Sequence, residues 1–182
     1  MSVCQTKKFI GMSFFVRTGA EERLAERLKN KLGGDDYFPF VPNKTCMFRR
    51  QGQKSLFKKI CFPGYVFIES YKPAAEFIRE AVPVIHKLND AYRFLCYGER
   101  NDIAMREEER EALCQVFGID RCIDISTGFK EGDSVKVISG SLMGQESIIL
   151  RTNKGRQEAV ISVAMFGTVV PVSVSLEVIE KV

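Results

Sequence analysis

The side chains able to do covalent or metal chemistry are few and poorly spaced for it. The single histidine, His86, has no nucleophile or ligand set around it in sequence, and neither a G-x-x-x-x-G-K-[ST] loop nor a G-x-S-x-G elbow occurs. Six cysteines, Cys4, Cys46, Cys61, Cys96, Cys114 and Cys122, never reach a C-x-x-C spacing, so no zinc site, other metal or cofactor is expected. Cys61 and Cys114 sit inside apolar patterns, which reads as reduced, buried thiols in a cytoplasmic protein. The run Glu107-Glu108-Glu109 falls in the first turns of a predicted helix, where carboxylates complement the helix dipole. These residues point to a protein that binds rather than an enzyme.

The feature that asks for a partner is a cationic block. Lys44, Arg49, Arg50, Lys54, Lys58 and Lys59 fall within 16 residues, and no acid occurs from Tyr37 to Ile68. The chain as a whole is mildly basic, with 27 Lys+Arg against 23 Asp+Glu in 182 residues. Its surplus is local: up to Asp124 there are 21 basic and 17 acidic residues, and beyond it 6 of each. Either a polyanion or a solvated arm accounts for the block. No run approaches the roughly 20 apolar residues that cross a bilayer, and a monomer without membrane contact is expected.

The elements that must position these residues follow from periodicity. Met12 to Arg17 alternates as a strand and stops at Thr18-Gly19-Ala20-Glu21, a Thr-x-x-Glu capping box. Leu24, Leu28 and Leu32 then mark one face of a helix that Gly33-Gly34 ends. Strands are expected at 37–41 and 60–69, with the basic block between them as a hairpin whose tip lies near Arg49 to Lys54. Pro73 opens a short helix that Pro83 closes, Val84 to Leu88 is a further strand, and 107–117 a third helix. The order is that of an α+β sandwich of ferredoxin-like type. After an aperiodic stretch at 118–128, short β-branched runs at 134–138, 147–150, 159–165, 169–174 and 177–179 suggest a small barrel, because closure removes exposed edges.

Three separated stretches carry a family resemblance: "FFVRTGAEERLAERL" from Phe14, "FPGYVFIE" from Phe62, and the C-terminal run from Phe129 that includes "AMFGTVVPVSVSLEVIEKV". Together they resemble the NusG family of transcription elongation factors over about residues 9–182. The resemblance implies an N-terminal α/β domain at 9–117, a flexible linker at 118–128 and an SH3-like β-barrel of KOW type at 129–182. It implies a partner, bacterial RNA polymerase, whose clamp helices meet an apolar patch matched here by Phe14, Phe15, Phe62, Pro63 and Tyr65. Strand alternation allows at most one of Phe14 and Phe15 to face outward. On such a domain the hairpin cations Lys44, Arg49, Arg50, Lys54, Lys58 and Lys59 would lie near upstream or non-template DNA, with Phe48 and Phe57 able to stack on unpaired bases. In the barrel, Arg151, Lys154 and Arg156 share one turn and offer nascent RNA a phosphate contact. Phe166-Gly167 matches the loop by which family members bind the ribosomal protein NusE or the termination factor Rho.

The chain also departs from the housekeeping pattern. "VPVIHKLNDAYRFL" replaces a Gly-Phe pair after Pro83, and Ser147 stands where the KOW motif has a glycine that can take a positive φ. "LND" at 88–90 and the ending "VSLEVIEKV" are more similar to specialised LoaP-like paralogues, which implies a processive antiterminator of long operons. A general elongation factor coupling polymerase to ribosome or Rho, and a free-standing RNA-binding protein, remain the alternatives.

Overall fold

The computed structural model describes residues 10–50, 53–98, 102–132 and 134–179, and for Arg49 and Arg50 the backbone alone. Cys4 and the hairpin tip residues Gln51 and Gly52 lie outside the described residues. The chain divides into two compact units, Met1–Pro42 with Phe62–Glu111, and Asn43–Cys61 with Ala112–Val182. The five cysteines among the described residues form no disulfide. Burial pushes the Cys61 thiol up to about 12. Among the described residues no helix is long and apolar enough to cross a membrane.

The first unit is built on β1 (Ile10–Val16), α1 (Glu21–Leu32) and β2 (Tyr37–Phe40). After a hairpin of β3 (Asn43–Arg50) and β4 (Gln53–Ile60), it continues with β5 (Tyr65–Ser70), α2 (Ala74–Glu80), α3 (Val82–His86), β6 (Ala91–Phe94) and the start of α4 (Glu107–Phe117). Its sheet runs β2-β5-β1-β6 with antiparallel neighbours throughout, the strand order of the ferredoxin-like sandwich. Leu24 and Leu28, four apart, are fully buried on α1, as their spacing requires. They share the core with Met12, Phe14, Val66, Ile68, Phe77 and Ile85. An aromatic chain crosses this core: the Phe14 and Phe94 rings are 5.5 Å apart, Phe94 and Phe77 5.9 Å, and Phe77 and Tyr37 5.7 Å.

Two sequence readings are corrected here. Val84 to Leu88 is not a strand: Pro83 occupies the first turn of α3, where its missing N–H costs nothing and its fixed φ suits the helix. The strand of this region is Ala91–Phe94, whose alternation is too short to stand out in sequence. The Thr18 capping box is also absent, since α1 has Ala20 at its N-cap and no side-chain cap bond.

The second unit contains the hairpin, the C-terminal half of α4, β7 (Cys122–Ile123), β8 (Ser126–Glu131), β9 (Ser134–Ser139), a 3-10 turn (Glu146–Ile148), β10 (Ile149–Asn153), β11 (Glu158–Met165) and β12 (Thr168–Ile179). The stretch expected to be a linker therefore holds β7 and opens β8. Cys122 and Ile123 are buried as a two-residue strand beside β3, too brief for any period to reveal. The main sheet is ordered β10-β11-β12-β8-β9. The runs expected as separate strands at 169–174 and 177–179 form one strand, β12, which pairs antiparallel with β11 up to Ser175 and parallel with β8 from Leu176 to Ile179.

The turn after β9 depends on Gly140, which has a φ of 90°. A Cβ there would lie 2.2 Å from the Ile125 carbonyl oxygen and 2.5 Å from the Ser126 Cα. The residue that departs from the KOW pattern, Ser147, sits in the 3-10 turn and is not among the residues with positive φ; Gly144, at 76°, takes that conformation. The substitution is thus accommodated without backbone strain.

Two outcomes follow from this packing. Gly140→Ala is expected to lose about 3 kcal/mol or more in urea unfolding, because neither its φ nor the backbone beside it can accept a methyl group. The second concerns Glu80, held near pKa 2 first by Lys72 Nζ at 2.9 Å and then by the Tyr37 hydroxyl at 2.8 Å. With its folded pKa below the ordinary value of 4.5, Glu80 contributes stability above that pH and loses it as pH falls toward 2. Thermal melts across this window should show a shallower acid loss in Glu80→Gln than in the parent chain.

Candidate functional site

The sheet of the first unit builds a row of three side chains on one face. Register places Tyr65 of β5 opposite Phe15 of β1, and Phe15 opposite Arg93 of β6. Phe15 and Tyr65 are half-buried with ring centroids 4.6 Å apart, and the Arg93 guanidinium carbon lies 5.0 Å from the Phe15 ring centre. Val16, Thr18, Pro63, Gly64 and Tyr92 complete an open groove of ≈ 530 Å³. Tyr92, 62% exposed, stands at its rim.

Of the five residues matched to the apolar patch, the fold brings Phe15, Pro63 and Tyr65 to the surface. Phe14 and Phe62, at 1% and 2% exposure, do not reach it. Phe14 alternates to the opposite face of β1, and Phe62 packs against Phe67 at 5.6 Å and edge-on to Tyr65 at 6.5 Å. Both therefore support the patch from beneath. Sequence reasoning missed Tyr92 and Arg93, whose only signal was the short Ala-Tyr-Arg-Phe alternation.

A buried carboxylate sets the geometry of this groove. Glu21, 1% exposed at the first position of α1, accepts the Gly19 N–H at 2.6 Å through one oxygen and the Gly64 N–H at 2.7 Å through the other. The helix N-terminus favours its charge. Gly64 sits at a φ of 84° after Pro63, and the Tyr65 N–H returns to the Phe62 carbonyl at 3.2 Å, as a type II turn requires. The Val16 N–H donates to the Gly64 carbonyl at 2.8 Å, so the turn is fastened to β1 as well. Beside it, Asp90 pairs with Arg17 at 3.1 Å and Arg23 at 2.5 Å, which fixes the approach to β6.

The basic hairpin forms as expected, with Asn43 opposite Ile60 through to Arg50 opposite Gln53. Phe48, Leu56 and Phe57 are 56%, 60% and 42% exposed. Its cations are not equally available. Lys54 pairs with Glu177 of β12 at 2.8 Å, and Lys44 donates to the Ser173 carbonyl at 2.7 Å. The Met47 N–H meets the Ser175 hydroxyl at 3.2 Å, and Thr45 donates to Asp124 at 3.1 Å. Lys58 and Lys59 make no ion pair among the described residues, and Lys59 lies 5.3 Å from the Phe57 ring centre. The side chains of Arg49 and Arg50 lie outside the described residues.

In the C-terminal sheet, Arg151 on β10 and Lys154 and Arg156 in the following turn are all exposed. The Phe166-Gly167 pair forms the β11–β12 turn, with φ of 50° and 73° and Met165 opposite Thr168. Phe166 is only 6% exposed, so this turn does not present its ring at the surface. Among the described residues no group of three or more His, Cys, Asp or Glu is placed to hold a metal ion.

Comparison with known proteins gives this geometry a context. The family described as "Transcription termination factor nusG" matches residues 13–114, which include the C-terminal half of β1, the Phe62 to Tyr65 turn and β6. The transcription termination/antitermination protein NusG of Thermus thermophilus is 25% identical over 172 residues, 90% of this chain and 93% of that protein. NusG of Streptococcus pyogenes is 29% identical over 131 residues, 70% of this chain and 68% of that protein. The solved structure described as "Domain interaction in Thermotoga maritima NusG" aligns with a TM-score of 0.49 at 22% identity, covering 92% of this chain and 94% of that one.

Glu21→Ala is expected to cost about 2–4 kcal/mol in urea unfolding, since two backbone N–H groups lose a charged acceptor in a buried position. Hydrogen exchange at Gly64 should accelerate more than exchange in the centre of β5, which separates loosening of the turn from global destabilisation.

Proposed function

The chain belongs to the NusG family of transcription termination and antitermination factors, and from that premise we propose that residues 9–117 bind RNA polymerase through the Phe15, Pro63 and Tyr65 groove. The single observation that carries the reading is the pair of half-buried aromatics in contact beside an exposed proline, at a turn that Glu21 fastens. Aromatic anchors set in a rigid concavity dominate helix-in-groove recognition, and the clamp helices implied by the sequence resemblance are such an element. The family's members act by binding and not by catalysis.

Within the family, the reading adopted is a LoaP-like processive antiterminator. The "LND" and "VSLEVIEKV" stretches support it. So does the burial of Phe166, because a loop without an exposed aromatic offers little to NusE or Rho and weakens the case for a general coupling factor. The hairpin is assigned to upstream or non-template DNA through Lys58, Lys59 and Phe57, a stacking surface bordered by cations. The KOW-type domain, 129–182, is assigned to nascent RNA through Arg151, Lys154 and Arg156.

The test has two parts. Phe15→Ala and Tyr65→Ala should each weaken retention on purified cognate core polymerase about tenfold or more with the fold intact by circular dichroism, whereas Phe14→Ala should cost about 3–5 kcal/mol of stability. Readthrough of an intrinsic terminator should then rise on the native operon leader and stay at baseline on an unrelated one. Equal stimulation on both leaders would return the chain to the general class of elongation factor. Wild-type polymerase binding by both alanine variants would remove the groove from the proposal.

A further inference from the structure

Resting on the groove reading above, we infer that the partner element is a helix carrying a carboxylate beside its apolar anchor, and that Arg93 selects it.

The groove floor is aromatic, yet its third member is a cation. Arg93 is exposed, lies 5.0 Å from the Phe15 ring, and makes no ion pair with any described residue. Its neighbours differ. Arg17 and Arg23 share the single carboxylate of Asp90, whereas Arg93, the cation lining this groove, pairs with no acid among the described residues. A guanidinium held over a ring by cation–π attraction keeps N–H donors available, and its planar fork matches a carboxylate in bidentate geometry. The ring contact also limits the rotamers that Arg93 must give up on binding, which lowers the entropic cost of the ion pair.

The spacing of the row defines the occupant. Tyr65, Phe15 and Arg93 follow one another across three adjacent strands, and neighbouring strands are about 4.8 Å apart. An apolar side chain seated against Pro63, Tyr65 and Phe15 therefore leaves Arg93 roughly one strand spacing away. On a helix, residues three or four apart are separated by about 5–6 Å on one face. A helix with Asp or Glu three or four positions from its apolar anchor satisfies both ends of the row at once. A nucleic-acid strand fits less well, because it calls for a track of cations along the backbone and the two nearby arginines are already engaged.

The experiment measures binding of the full chain to purified cognate core polymerase by biolayer interferometry, at low and high salt. Arg93→Met keeps an apolar stem and removes the charge, Arg93→Glu reverses it, and Arg93→Lys keeps a cation without the fork. The expected order of affinity is parent, Lys, Met, Glu, with about a tenfold loss for Met at low salt and a flatter salt dependence. If Arg93→Met and Arg93→Glu bind as the parent does while Tyr65→Ala loses binding, the groove stands and the carboxylate pairing falls. If Tyr65→Ala also binds as the parent does, the groove reading itself falls, and the pairing with it. A photo-crosslinking phenylalanine analogue at the exposed position 92 gives a second readout. Capture of a polymerase helix with an acidic residue near the cross-linked site supports the proposal; capture of nucleic acid or of a second copy of this chain overturns it.

Discussion

One buried carboxylate connects the two turns on which the groove depends. Glu21 starts α1, yet its oxygens serve the turn before the helix and the turn before β5, 43 residues away in sequence. Register alone would bring β1 beside β5, but it would not fix where the ends of those strands open outward. With Gly19 and Gly64 bound to one group, Phe15 near the end of β1 and Tyr65 at the start of β5 are held as a contacting pair with tilted rings. The carboxylate is stable at 1% exposure because two N–H groups and the helix N-terminus replace its water. An aromatic pair held in this way has little conformational entropy left to lose, which is the condition for tight recognition by the groove proposed above.

Much of this arrangement could be read from sequence, and the failures have physical causes. The four-residue spacing of Leu24 and Leu28 gave the buried face of α1, and strand alternation required that only one of Phe14 and Phe15 face outward. The turn at Phe62 to Tyr65 was legible because proline followed by glycine permits few conformations. Thr18-x-x-Glu21 was recognised as a motif, but its local reading was displaced by a long-range one, since Gly64 competes for the same carboxylate. Arg93 was invisible for the same kind of reason. Its role exists only once β6 lies beside β1, and no local pattern announces an antiparallel pairing across so many residues.

The hairpin teaches a related lesson about charge. Six cations without an acid in the local sequence leave a polyanion or solvent to balance them, but packing engages two of them within the fold. Glu177 takes Lys54 and the Ser173 carbonyl takes Lys44, so acidic and polar groups more than 100 residues distant supply the compensation that the local sequence lacks. An exposed pair such as Lys54–Glu177 contributes at most about 1 kcal/mol, which a phosphate can displace. Lys58 and Lys59 have no such ion pair among the described residues, and Lys59 lies over the Phe57 ring.

Phe166 shows how a tight turn and the burial of a side chain are coupled. A non-glycine residue at a φ of 50° carries a backbone cost of about 1 kcal/mol or more, and the tight turn between β11 and β12 imposes it. Burial of the ring offsets that cost, for an aromatic side chain removed from water contributes about 1.5–3 kcal/mol. Exposing Phe166 to a partner would forfeit the offset and keep the strain, so the turn favours the buried state unless the partner returns an equivalent apolar contact. Arg151, Lys154 and Arg156 stand in contrast, all exposed on β10 and the turn that follows it.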